Sequence, residues 1–220
     1  MPTSTVENYL KTILHLDEDA DTAVSVGAIA ETLAVTPGTV SSMMRHLADD
    51  GLVEYFPRRS VALLPKGRNQ AMQVVRRHRL IETFLVEVLK LDWSEVHEEA
   101  EVLEHVISDR LLRRMDEMLG HPELDPHGDP IPNEKGEYAS DFEGQPLAGL
   151  EGGRFRLVRV DDSDPELLDW LREAELLPGG EYEVVSHDTV AGILEISGKS
   201  SPIIRMGEKA ARQVLVQPIR

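Results

Sequence analysis

The sequence predicts a mainly α chain with α+β parts, and three observations predict it. Short segments of helical periodicity fill the first fifty residues and end at a pair of β runs. Longer helical patterns follow to about Leu119. From Arg154 onward, short β runs with turn signals dominate, which is the pattern of a small barrel.

Each element has a local cause. Ser4-Thr5-Val6-Glu7 reads as a capping box, with Val6, Tyr9, Leu10, Ile13 and Leu14 repeating at helical spacing to about Leu16. Residues 17–22 read as a polar loop. Ser25 can cap a second helix carrying Ile29, Ala30 and Leu33. Thr36 can cap a third, with Pro37 at its first position and Val40, Met43, Met44 and Leu47 on its apolar face. Gly51 suits the left-handed position after it. Leu52 to Tyr55 and Val61 to Leu64 read as a hairpin around Phe56-Pro57-Arg58-Arg59-Ser60.

A helix is expected from about Lys66 to Leu89, and another from an Asp92-x-x-Glu95 cap to about Leu119. Residues 120–148, rich in Pro, Gly and Asp, read as a linker. The C-terminal strands are Phe155–Val160, Tyr182–Ser186, Ile193–Ile196, Ile203–Ile204 and Val214–Val216, interrupted by a helix from Asp164-Pro165 to Pro178-Gly179. Three domains are expected: 1–72, 73–140 with the linker from about 120, and 150–220.

Composition narrows the chemistry. The 220 residues are 41% hydrophobic and 29% charged, enough to bury a real core. No apolar run is long enough for a membrane span, and the N-terminus lacks the basic and apolar regions of a signal peptide. The chain is therefore expected to be cytoplasmic, with no membrane partner. Cysteine is absent, which excludes disulfides, thiolate zinc sites and cysteine nucleophiles. The net charge of −17 argues against nucleic acid when read alone. Yet residues 1–72 carry six Lys/Arg against nine Asp/Glu, while residues 120–148 carry one against seven. The acid is concentrated away from the N-terminal third.

Helix, short turn, helix and hairpin make a winged helix-turn-helix, whose second helix enters the DNA major groove. Thr36, Pro37, Thr39, Ser41, Ser42 and Arg45 are small or polar, as a groove-facing surface requires. Arg58 and Arg59 at the wing tip suit phosphate or minor-groove contact, and Lys66 and Arg68 could add phosphate contacts. The bland alternative is a winged helix used for protein contacts.

His97, Glu101, Glu104 and His105 fall within one arc of the helix after Asp92, bordering its apolar stripe of Val96, Ala100, Leu103 and Ile107. His78 and Glu82 stand one turn apart on the preceding helix. Packing those helices together would bring two His-carboxylate groups face to face. Carboxylate and imidazole without thiolate suit Mn²⁺ or Fe²⁺. The bland alternative here is an acidic amphipathic helix with chance histidines. His121 and His127, in the Pro-rich stretch, are expected to face solvent.

These residues resemble the diphtheria toxin repressor family of metal-dependent transcription regulators, especially its manganese-responsive branch. The resemblance covers nearly the whole chain. It is strongest at Val6-Glu7-Asn8-Tyr9-Leu10, at residues 36–42, at Arg77-His78-Arg79-Leu80-Ile81-Glu82, at His97-Glu98-Glu99-Ala100-Glu101 with Glu104-His105-Val106, and at residues 126–132. It implies a winged-helix domain, a helical domain that forms a homodimer and holds two metal sites, and a C-terminal SH3-like β-barrel similar to ferrous-transport accessory domains. It implies a primary site of Asn8, Glu101, Glu104 and His105. The ancillary site would use His78, Glu82 and His97 with a carboxylate from the C-terminal domain, Asp162 or Asp164, with the alignment leaning to Asp164.

Three positions set this chain apart. Position 8 is Asn where iron-type members have Met and manganese-type members usually Asp. Position 11 is Lys where some two-domain members place a ligating Glu. Position 101 is Glu where iron-type members have Cys, and a hard oxygen there favours Mn²⁺. The expected function is a Mn²⁺- or Fe²⁺-dependent repressor of metal-uptake genes, bound to palindromic duplex operator DNA as a homodimer. The rival class is a di-metal carboxylate-histidine enzyme, although the doubled Glu-x-x-His pattern of di-iron bundles is missing.

Overall fold

The computed structural model describes residues 3–19, 23–139, 144–198 and 203–219. These form two compact units. One comprises residues 1–78, 103–108 and 132–138; the other comprises 79–102, 109–131 and 139–220.

In the first unit, α1 (Ser4–Asp19), α2 (Val26–Thr32) and α3 (Pro37–Asp49) precede the hairpin β1 (Val53–Phe56) and β2 (Ser60–Leu63). Helix α1 runs three residues past Leu16, into the segment expected as polar loop, whose residues 20–22 lie outside the described residues. The Ser25 hydroxyl accepts from Ala28 N at 3.1 Å, and the Thr36 hydroxyl from Thr39 N at 3.2 Å, so both expected caps form. Gly51 takes φ +68°, the left-handed turn that ends α3. Leu10, Ile13 and Leu14 of α1, Ile29 of α2 and Val40, Met44 and Leu47 of α3 are all fully buried in one core. Helix α4 (Pro65–Glu87) starts where Gly67 lies against the Leu52 carbonyl; a Cβ there would come within 2.0 Å of that oxygen. The division between units falls inside α4, after His78.

Two expectations about the middle of the chain are corrected. The helix expected to run from Asp92 to Leu119 is two helices, α5 (Val96–Leu103) and α6 (Asp109–Leu119). Residues 104–106 form a turn, in which the amides of Val106 and Ile107 both bond the Leu103 carbonyl. The Pro-rich stretch is also ordered. Pro132 accepts from Arg76 at 2.7 Å and Glu134 accepts from Gln73 at 3.0 Å through their backbone carbonyls, which lays residues 132–138 beside the first half of α4. In the second unit, Asp125 and Asp129 close a turn through backbone bonds, and Val160 N donates to the His127 carbonyl at 2.9 Å.

The C-terminal part holds β3 (Gln145–Pro146), a one-turn 3-10 helix (Leu147–Gly149), β4 (Gly153–Val160), α7 (Pro165–Glu173), β5 (Glu181–Asp188), β6 (Ile193–Gly198), β7 (Ile204–Gly207), α8 (Glu208–Arg212) and β8 (Val214–Pro218). The strands form one antiparallel sheet in the order β3-β8-β4-β5-β6-β7, bulged between Leu157 and Arg159 and between Val184 and Ser186. Such bulges bend strands and let a small sheet curl. The concave side buries Phe155, Leu157, Val184, Leu194, Ile196 and Val216 against Leu168 and Leu171 of α7. The sheet fits the SH3-like domain that the resemblance implied, although among the described residues no pairing of β3 with β7 closes it into the small barrel that the short strands predicted.

Candidate metal centres and nucleic-acid interface

In the first unit, α1, α4 and the turn after α5 bring together acids, imidazoles and cations. The Glu104 side chain is fully buried and accepts from Lys11 Nζ at 2.8 and 3.0 Å, one bond to each oxygen. His78 Nδ1 lies 2.6 Å from Glu104 Oε2. Burial pushes the Glu104 carboxyl up, but the His78 hydrogen bond and the Lys11 charge outweigh it and hold the group below the usual carboxylate range.

His105 sits beside this group, with Nδ1 2.7 Å from Glu7 Oε2 and Nε2 3.5 Å from Glu104 Oε1. Arg77 holds the other Glu7 oxygen at 2.6 Å. A carboxylate on one ring nitrogen fixes the tautomer and aims the other, which is how metal-ligating histidines are oriented. Among the described residues, the Nε2 of His105 is buried with no hydrogen-bond partner, and so is Oδ1 of Asn8. Asn8 lies on α1 between Glu7 and Lys11, the residues that reach His105 and Glu104. Bare nitrogen and oxygen lone pairs beside a buried carboxylate are donors a divalent cation would use.

In the second unit, Glu82 is buried at the centre of a second set. His97 Nδ1 lies 3.3 Å from Glu82 Oε1 and 3.2 Å from Asp162 Oδ2. His97 Nε2 lies 3.8 Å from Glu101 Oε1. The Asp162 and Glu82 hydrogen bonds push His97 up to about 10, against the opposing effect of burial. One ligand atom each from Glu82, His97 and Asp162 falls within 4.8 Å of the others, and the same holds for Glu82, Asp125 and His127.

His127 corrects the expectation of a solvent-facing residue: it is fully buried, stacked on Trp93 with ring centroids 5.5 Å apart. Its Nε2 donates to the Trp93 carbonyl at 2.8 Å. Its Nδ1 is buried without a hydrogen-bond partner among the described residues, 3.9 Å from Glu82 Oε2. Asp125 accepts from the amides of His127 and Asp129, both at 2.9 Å, and burial pushes its carboxyl well above the usual range. Asp125 and His127 are the residues that sequence reasoning missed. Their Asp-x-His spacing was visible, but the surrounding prolines argued for a solvated loop. His121, by contrast, has its side chain 70% exposed.

Of the two candidate C-terminal carboxylates, Asp162 reaches His97, whereas Asp164 accepts from Leu167 N at 3.2 Å and caps α7. The placement has a local reason: a Ser-Asp-Pro sequence commits its Asp to the helix end. His78, expected with Glu82 and His97, bonds Glu104 and stands one turn before Glu82 on α4. Because α5 ends at Leu103, Glu104 and His105 come from the turn rather than from the helical face expected for them.

On the surface, Pro37, Ser42 and Arg45 are exposed and Ser41 is half-buried along α3, beside exposed Thr36 and Thr39, whose hydroxyls lie 2.9 Å apart. Arg58 and Arg59 are exposed at the hairpin tip, Arg58 at φ +62°. Neither side chain makes a hydrogen bond or ion pair among the described residues, while the Arg59 amide donates to the Phe56 carbonyl at 3.0 Å. Lys66 and Arg68 do: Lys66 bonds the Asp50 carbonyl at 3.0 Å and Arg68 pairs with Asp17 at 3.2 Å.

Comparison with known proteins identifies the family. The diphtheria toxin repressor of Corynebacterium glutamicum is 35% identical over 193 residues, 83% of this chain and 84% of that protein. The chain belongs to the diphtheria toxin repressor family. Residues 1–61 match the iron dependent repressor N-terminal DNA binding domain, 64–133 its metal binding and dimerisation domain, and 147–218 the FeoA domain. The iron-dependent repressor IdeR of Mycobacterium leprae is 42% identical over 128 residues, 58% of this chain and 55% of that protein. Among solved structures, a manganese-dependent transcriptional repressor in complex with manganese superposes with TM-score 0.90 at 37% identity, covering 97% of this chain and all of the other. The manganese regulator SloR superposes at 0.76 with 33% identity, covering each chain fully. Members of this family are metal-dependent, DNA-binding transcriptional repressors and not enzymes, which removes the di-metal enzyme reading. No helix among the described residues is long and apolar enough to cross a membrane.

Proposed function

We propose that this member of the diphtheria toxin repressor family responds to Mn²⁺, that it binds a palindromic operator as a homodimer, and that its targets are manganese- or iron-uptake genes. Fe²⁺ is the second cation that the same hard oxygen and imidazole donors accept. The observation that carries the reading is His105, with one nitrogen held by Glu7 and the other bare, buried and facing Glu104. We assign Asn8, Glu101, Glu104 and His105 to a primary site. We assign Glu82, His97 and Asp162 to a second, with His78 one turn before Glu82 on α4, and with Asp125 and His127 grouped at the same Glu82, His127 nearer its other oxygen. Residues 1–72 would bind DNA, 73–140 would dimerise and hold metal, and 150–220 would supply Asp162.

The chain's own packing explains how such a site reaches DNA. Asn8 is on α1, and α1 shares one buried core with α3 through Leu10, Ile13, Leu14, Val40, Met44 and Leu47. A shift of α1 therefore moves the groove-facing helix with it. Glu101, Glu104, His105 and Asn8 would hold a divalent cation, whose positive charge would offset the two carboxylates and favour α1 staying against the turn after α5. The DNA-competent arrangement is then favoured, and DNA must tighten metal binding in return. Leu111 and Met118, two turns apart on α6, are 50% and 68% exposed. A second copy packed on α6 would cover them and set the spacing of two recognition helices.

The test is selection of bound genomic fragments with chelator and with Mn²⁺. Palindromic sites enriched only with Mn²⁺ are expected. Equal enrichment in both arms would remove the metal dependence.

A further inference from the structure

The cation that Glu104 holds in this fold is Lys11. Its ammonium contacts both carboxylate oxygens, at 2.8 and 3.0 Å, with 11% of the lysine side chain and none of the glutamate exposed. Two hydrogen bonds to a buried carboxylate are charge-assisted and only weakly screened. Any second cation bound by Glu104 would stand within a few ångströms of that ammonium, so the two repel at short range in a poorly solvated site. The neighbouring acid differs. Glu7 is engaged by Arg77 and His105 and need not give up either to keep His105 aimed.

We infer that Lys11 is a built-in competitor for the metal at Glu104, weakening that site and raising the metal concentration at which the protein responds. This rests on the metal reading above. Lysine suits the role because its compact charge sits on a flexible four-carbon stem that can swing away without moving α1. An arginine or a methionine at position 11 would act differently: the first as a stiffer occupant, the second as none. The Lys11–Glu104 pair also stabilises the protein before metal arrives, since a buried carboxylate that loses its charged partner is destabilising.

Calorimetric titration of the full chain with Mn²⁺ tests the inference. The binding component lost in Glu104→Gln defines the site. For Lys11→Met that component should tighten roughly ten- to hundredfold, the range for release of a charge-assisted bond. Lys11→Gln, which keeps a neutral donor for Glu104 and protects the fold, should tighten it in the same direction. In EDTA both variants should melt below the parent protein, and Mn²⁺ should raise their melting temperature by more than it raises the parent's. Unchanged or weaker Mn²⁺ binding in both variants overturns the role of Lys11. If Glu104→Gln removes no binding component, it is the metal site at Glu104 that fails, and the competitor with it.

Discussion

The His127 Nε2–H donates to the Trp93 carbonyl at 2.8 Å, which sets the ring so that Nδ1 lies 3.9 Å from Glu82 Oε2. An imidazole nitrogen oriented in this way beside a buried carboxylate is the kind of donor set a cation takes. His127→Ala should therefore remove one of the Mn²⁺ equivalents seen by calorimetry. It should also destabilise the chelated protein by about 2–4 kcal/mol, through the cavity and the orphaned Trp93 carbonyl. Urea unfolding in EDTA reads the second effect separately from the first. Loss of stability with full metal stoichiometry would make His127 purely structural.

The backbone beside it tolerates no side chain. Gly128 sits at φ +90°, and a Cβ there would come within 2.0 Å of the Val158 carbonyl. Gly128→Ala should cost about 3 kcal/mol or more, combining left-handed strain with a clash against a strand. Thermal melting shows this directly, and near-parental stability would mean that the turn is not held against β4.

The wing prediction concerns salt. Arg58 and Arg59 are exposed at the hairpin tip and make no ion pair among the described residues. If each meets one phosphate, the double Ala variant should bind operator more weakly. Its log–log salt slope should fall by roughly two, at about 0.9 per phosphate. Fluorescence anisotropy across a salt series measures both. An unchanged slope would leave the wing out of the interface.

His97 predicts a pH dependence. Asp162 and Glu82 raise it from 6.5 to about 10, so the folded chain binds the proton more tightly than the unfolded chain does. The resulting stability is fully present below 6.5 and is lost as pH rises through about 10. The melting temperature in EDTA should therefore fall between pH 7 and 10, and His97→Gln should flatten that fall. An identical profile in the variant would place the dependence elsewhere.

The helix-turn-helix was legible because its signals are local. Ser25, Thr36 and Pro37 announce their helix starts, and Gly51 announces an end. The His-carboxylate residues were legible by type and spacing, but their grouping was not. Glu104 and His105 depend on a turn that periodicity alone read as continuous helix. Asp125 and His127 depend on long-range burial, since a Pro-rich segment looks solvated until Arg79 and Arg159 are seen pairing with Asp129 at 2.9 and 3.0 Å. In the sequence Lys11 stands out only as the absence of a ligating Glu. Its pairing with Glu104 spans 93 residues, which no local pattern encodes.

The two acids of the Asp162-Ser163-Asp164 turn have different partners. Asp162 lies 3.2 Å from His97, while Asp164 accepts from Leu167 N and starts α7. Asp162→Asn keeps the size but removes the charge and one anionic donor, so Mn²⁺ affinity at the second site should fall about tenfold or more. It should also lower the elevated His97 pKa, readable by NMR titration. Asp164→Asn should leave both unchanged, because Asn caps helices as well as Asp does. Asp164→Ala should lower stability by about 1 kcal/mol with no change in metal binding. The reverse pattern, with metal affinity following position 164, would show that the C-terminal ligand is Asp164 and that the Asp162–His97 contact is only an ion pair.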